Sequence, residues 1–138
     1  MKNKYLLSLL WVIVSGFGIL MAQEIAIIPQ PAHLIVKNES FKFGKQLKVC
    51  IASYRGDSVT LVFDSFKDDF QKATGIKVTS VRSEAKAGIV LSVNQTLAPE
   101  AYKLDVSPKQ IRIEAARPAG FYYALQTLKQ LISRHVMA

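Results

Sequence analysis

Apolar residues in the second half of the chain recur at two different spacings, and the change of spacing marks the elements. Tyr102, Leu104 and Val106 alternate with Lys103 and Asp105. After Ser107-Pro108-Lys109, Ile111, Ile113 and Ala115 alternate with Gln110, Arg112 and Glu114. A period of two puts successive side chains on opposite faces of a strand, so this stretch predicts a hairpin with one apolar and one solvated face. Over residues 115–132 the period lengthens to that of a helix. Phe121, Ala124, Leu125, Leu128, Leu131 and Ile132 fall in an arc of about 120° when residues are placed at helical steps, which is a core-facing stripe. Pro118 stands where a first turn tolerates a missing N–H. Gly120, in the same turn, gives up roughly 1 kcal/mol of helix propensity relative to Ala, which predicts a close backbone approach.

A second helix is predicted earlier, where Val59, Val62, Phe63, Phe66, Phe70 and Ala73 share one face and Asp64, Lys67, Asp68 and Gln71 lie opposite. Asp57-Ser58 offers its N-cap and Gly75 its stop. Its three phenylalanines are expected to pack against a sheet rather than to stack on a ligand. Short strands are predicted over residues 34–36, 41–43, 47–52, 76–81 and 88–93, with the uninterrupted Ile89-Val90-Leu91 marking a central strand covered on both faces. Residues 25–28 read as an edge strand or lead-in, stopped by Pro29-Gln30-Pro31. The pattern is that of an α+β protein, a mixed β-sheet with two amphipathic helices packed on one face, forming a single domain after a signal peptide.

That leader is predicted over residues 1–22: Lys2 and Lys4 precede an apolar run that ends in Leu20-Met21-Ala22, the form of a secretory signal. An uncleaved anchor is the alternative, but the small-residue end and the polar Gln23-Glu24 favour cleavage, after which no membrane association is expected. Residues 23–138 then suffice for one modest core. The localisation expected is export, to the periplasm or the extracellular space. The formal charge of +8 falls to +6 when Lys2 and Lys4 are removed. The basic residues are dispersed, with only Lys42, Lys45 and Lys48 forming a loose group, so a solvated surface is expected and nucleic acid is not expected as a partner. Cys50 is the single cysteine and reads as a buried apolar residue between Val49 and Ile51.

No catalytic constellation emerges. Asp68 and Asp69 are adjacent, so on a helix they diverge and cannot act as a general acid and base pair. Asp105 and Glu114 belong to the polar face of the hairpin. His33 and His135 lie far apart without a motif, and the glycines form no phosphate loop. No catalytic, cofactor-binding or metal-ligating residues are assigned, and no cofactor is expected. Tyr122 and Tyr123 are the residues singled out: they lie on the helix arc away from the core stripe with Gln126, Lys129 and Gln130. A tyrosine suits a surface that packs on one side and stays wet at the hydroxyl, so this face either packs against something outside the domain or is an ordinary exposed pair.

Ile28-Pro29-Gln30-Pro31, the hairpin strands, and Gly120-Phe121-Tyr122-Tyr123-Ala124-Leu125-Gln126-Thr127-Leu128-Lys129-Gln130-Leu131 together resemble the N-terminal domain of bacterial β-N-acetylhexosaminidases of glycoside hydrolase family 20. The resemblance runs over essentially all of residues 23–138, in the family's order. It implies a mixed sheet with two helices on one face. It also implies an accessory role beside a separate (β/α)₈ barrel, which removes terminal N-acetylhexosamine from glycans through an Asp-Glu pair and the substrate's acetamido group. No position here corresponds to that pair or to the sugar-binding tryptophans, since Trp11 lies in the leader. The expectation is therefore a non-catalytic accessory domain of an exported hexosaminidase, cut off before its barrel, whose partner in cis would be that barrel. The alternative is a stand-alone exported glycan-binding or protein-interaction module.

Overall fold

The computed structural model describes residues 40–52 and 57–136 together with His33 and Ile35, side chains at 57 and 133–136 excepted. The elements are β1 (Gln46–Ala52), α1 (Asp57–Thr74), β2 (Lys77–Ser80), a 3₁₀ turn (Glu84–Lys86), β3 (Ile89–Val93), β4 (Tyr102–Val106), β5 (Ile111–Ala115) and α2 (Pro118–Val136). They form one five-stranded sheet in the order β2-β1-β3-β5-β4. The first four strands in that order are parallel, and β4 closes the edge antiparallel to β5 through the predicted hairpin.

The architecture is the α+β one expected, a mixed sheet with two helices on one face. Strand parity decides the layering. Leu47 and Val49, Val78, Ile89 and Leu91, and Ile111, Ile113 and Ala115 point to one side, where they meet Val59, Phe63, Phe66 and Phe70 of α1 and Phe121, Ala124, Leu125 and Leu128 of α2. On the far side Val90 is covered by Cys50 and Ala87, so the middle of β3 is closed on both faces. This is why its sequence does not alternate.

The chain enters α2 at Pro118, after β5 has ended at Ala115, so the helix begins three residues later than the apolar spacing suggested. Gly120 lies where a Cβ would meet the Ala101 carbonyl oxygen at 2.5 Å and the Ala115 Cβ at 2.8 Å. Only glycine lets the first turn of α2 come this close to the loop before β4 and the end of β5. Gly75 ends α1 with φ 71°, as a left-handed C-terminal residue.

Four expectations are corrected or refined. Residues 41–43 form no strand. Their alternation serves packing instead, with the Phe41 and Phe43 rings edge to face at 5.0 Å and Phe43 against Phe70 at 5.5 Å. Ala73 is exposed rather than part of the buried stripe. Leu131 is half-buried rather than part of the closed core. Gln71, read as solvated, turns back to accept the Val78 N–H at 2.7 Å, filling one hydrogen-bonding position on the edge strand β2. The leader at 1–22, the segment 25–28 with Pro29-Gln30-Pro31, and Leu34 and Val36 lie outside the described residues; Ile35 is exposed. Among the described residues no helix is long and apolar enough to cross a membrane.

Candidate functional site

The chemistry-bearing residues singled out in the sequence are dispersed by the fold. Asp69 turns from α1 toward α2 and its Oδ2 accepts from Lys129 Nζ at 2.7 Å. That hydrogen bond and charge hold the Asp69 carboxyl below the usual carboxylate range. Asp68 is exposed beside it. Across the hairpin Asp105 stands opposite Arg112 and Glu114 opposite Lys103. Glu114 also accepts from Asn94 Nδ2 at 2.8 Å, and Arg112 Nη2 pairs with Glu84 at 3.2 Å. Glu84 and Glu114 are thus each engaged by a neighbouring side chain on the far face of the sheet, and Asp105 faces Arg112 across the hairpin. Cys50 is buried and donates its Sγ–H to the Arg82 carbonyl at 3.5 Å. Burial, reinforced by Glu84, pushes its thiol up and keeps it protonated and unreactive. His33 is exposed, and the His135 side chain lies outside the description. Among the described residues no three His, Cys, Asp or Glu side chains gather at metal-ligand distance.

What the fold does assemble is an exposed apolar surface on the outer side of the helix pair. Helix α1 must return from the end of β1 to the start of the parallel β2, and α2 departs from the same end of the sheet, so the two helices run side by side in one direction. The Asp69–Lys129 pair ties them together. Leu61 lies eight residues before Asp69 and Tyr122 seven before Lys129, so the pair sets the two at a similar level along the side-by-side helices. Leu61 is 68% exposed, Tyr122 48% and Tyr123 37%; with Ile35 they are the large apolar residues left open among the described residues. The Tyr122 and Tyr123 rings meet edge to face, with centroids 5.7 Å apart and planes at 69°. Tyr102 does not share this surface. Its hydroxyl hydrogen-bonds the buried Thr127 Oγ1 at 2.7 Å, fastening β4 beneath α2.

Leu61 is the member that sequence reasoning missed. It falls opposite the Phe stripe, but it sits inside the run Leu61-Val62-Phe63, where an apolar residue draws no notice. The signal was its position on the wheel, a large apolar side chain on an otherwise polar arc with Asp64 and Asp68.

Residues 24–137 match the family model described as glycosyl hydrolase family 20, domain 2. A β-hexosaminidase from Vibrio furnissii is 28% identical over 111 residues, which are 80% of this chain and 17% of that protein. Among solved structures, the GH20 exo β-N-acetylglucosaminidase from Vibrio harveyi superposes with a TM-score of 0.65 at 34% identity, covering 75% of this chain and 15% of that one. The N-acetyl-β-hexosaminidase of Streptomyces plicatus superposes with a TM-score of 0.65 at 27% identity, covering 76% and 21%. The chain thus spans about a fifth or less of the length of these relatives. Fold, residue pattern and family match agree: the chain belongs to glycosyl hydrolase family 20, of which it is domain 2.

Proposed function

We propose that this chain is the non-catalytic accessory domain of an exported β-N-acetylhexosaminidase, and that its helix layer is the surface on which the catalytic (β/α)₈ barrel rests. The observation that carries the reading is the similar level of Leu61 and Tyr122 on the outer side of the helix pair, with Tyr123 beside them. Large apolar side chains clustered on an otherwise polar helix face are expected where another body excludes water. The relatives' names, β-hexosaminidase and exo β-N-acetylglucosaminidase, supply the activity proposed for the whole enzyme: release of terminal N-acetylhexosamine from glycans. Export rests on the leader at residues 1–22.

A stand-alone glycan-binding module would need a flat aromatic platform, and the 69° angle between the two tyrosine rings does not provide one. Sequencing the gene beyond the codon for Ala138 tests the arrangement in cis. An in-frame barrel carrying the Asp-Glu pair is the expected result. In that full chain Leu61→Asp with Tyr122→Asp should lower the thermal transition and the hydrolysis rate together. The absence of an in-frame barrel, or a double variant indistinguishable from the parent, would overturn the reading.

A further inference from the structure

The lysines that looked scattered in the sequence are gathered by the topology. Because β2, β1, β3 and β5 are parallel, their starts lie toward one end of the sheet, those of β3 and β5 three residues further along than those of β1 and β2. Each of these strands opens on a lysine or follows one within a few residues: Lys77 is the first residue of β2, Lys45 immediately precedes β1, Lys86 ends the 3₁₀ turn leading into β3, and Lys109 sits in the turn before β5. All four are exposed, as is Lys42 on the approach to β1. At a strand spacing of about 4.8 Å the four-strand row spans roughly 14 Å. Adjacent strands are thus closer than the Debye length of about 8 Å at physiological salt, the range over which like charges borne on neighbouring strands reinforce.

Lys72 reaches the same end but has a local reason, since it lies in the last turn of α1 and acts on Asp69. The row lysines have no such engagement. None forms an ion pair with another described residue. Among the described residues Glu84 pairs with Arg112, and Asp105 stands opposite Arg112 in the hairpin register.

We infer that this rim is a binding surface for a linear acidic polysaccharide, one bearing carboxylate or sulfate groups along its length. It is distinct from the helix layer proposed to meet the barrel, and it uses the exported, glycan-degrading setting only to choose among polyanions. The chemistry of the rim supports that choice. Lysines are point charges on flexible stems, suited to repeated anions of variable spacing rather than to one bidentate group. Among the described residues the exposed aromatics are Tyr122 and Tyr123 of the helix layer, so none stands among the lysines to stack on bases, which disfavours a single-stranded nucleic acid. Apart from Ile35, the exposed large apolar side chains among the described residues belong to the helix layer, so they offer the lysines no anchor in a lipid interface.

The test measures binding of the full chain to soluble heparin, with neutral dextran, duplex DNA and vesicles of phosphatidylcholine with phosphatidylglycerol as comparisons, over a range of salt concentrations. Binding to heparin and not to dextran is expected, falling steeply with salt. In the triple variant K45Q/K77Q/K109Q affinity should drop about tenfold or more near 0.1 M salt, and the salt slope should fall by about three counterions. K67Q/K103Q/R117Q removes the same charge away from the rim and should bind heparin as the parent does. Thermal transitions of both variants verify the fold, and the slope measured on the unaltered chain stands independently of them. Equal losses in the two variants, no binding to heparin, or binding to DNA or vesicles as tight as to heparin would each overturn the inference. None of these results bears on whether a barrel rests on the helix layer.

Discussion

Gly120 is the residue on which the joint between hairpin and main helix depends. A methyl group there would meet a backbone carbonyl and the Ala115 methyl, both below 3.0 Å, and neither is the movable end of a long side chain. Gly120→Ala would gain about 1 kcal/mol of intrinsic helix propensity. Against this stands the strain of overpacking, typically about 1–3 kcal/mol, together with the backbone shift it forces. Strain should win. The variant is expected to be less stable by up to about 2 kcal/mol, read as a lower urea midpoint at unchanged slope. A midpoint at or above the parent's would show that the loop at Ala101 yields freely. Gly75 is a different case: nothing lies within 4 Å of the added carbon, and only its φ of 71° demands glycine. The cost of an alanine there is conformational, and asparagine, which tolerates the left-handed region, should recover part of it.

The two helices are joined to the sheet by apolar stripes and to each other by a polar tie. Asp69 and Lys129 are separated by 60 residues in sequence, yet their pairing sets the relative level of α1 and α2 and so that of Leu61 and Tyr122. The folded pKa of Asp69 is depressed. The pair's contribution is therefore present above the ordinary carboxylate value of 3.8 and is lost as pH falls through the lower folded value. Both side chains are substantially solvated, so the effect should appear in the titration of the group more clearly than in global stability. An NMR titration of the Asp69 carboxyl should give a midpoint below the usual range in the parent and one shifted back toward it in Lys129→Met, where only the weaker influence of Lys72 remains; coincident curves would dismiss the tie. The stripes themselves were legible in the sequence, because a buried face must repeat at the element's own period. The tie was not, since nothing in the local pattern around Asp68-Asp69 indicates which helix will lie alongside. Residues 41–43 misled for the converse reason: a Phe-Lys-Phe alternation is the same whether the rings pack beside a paired strand or, as here, against Phe70 from an unpaired segment.

At the scale of the whole molecule two surfaces stand apart, an apolar one on the helix layer and a cationic one at the strand-start rim. Tyr122 and Tyr123 could be placed on an outer arc from the helix wheel alone, whereas the rim exists only once the strand order is known, because sequence separates Lys45 from Lys109 and parallel pairing brings their strands into one row. The apolar surface has a consequence for the chain by itself. With no covering body, Leu61 and Tyr122 remain in water, and the simplest way to shield them is to bring two helix layers together. The net positive charge opposes this, but it resides largely at the rim and is screened over about 10 Å at 0.1 M salt. Sedimentation should therefore reveal concentration-dependent self-association that strengthens with salt. Leu61→Lys with Tyr122→Lys adds charge at exposed positions without touching the core, so it should abolish the association while moving the thermal transition of the monomer little. Association that survives this pair of changes would locate the contact elsewhere, and a chain that stays monomeric at high concentration and high salt would mean that these side chains do not form a cohesive patch.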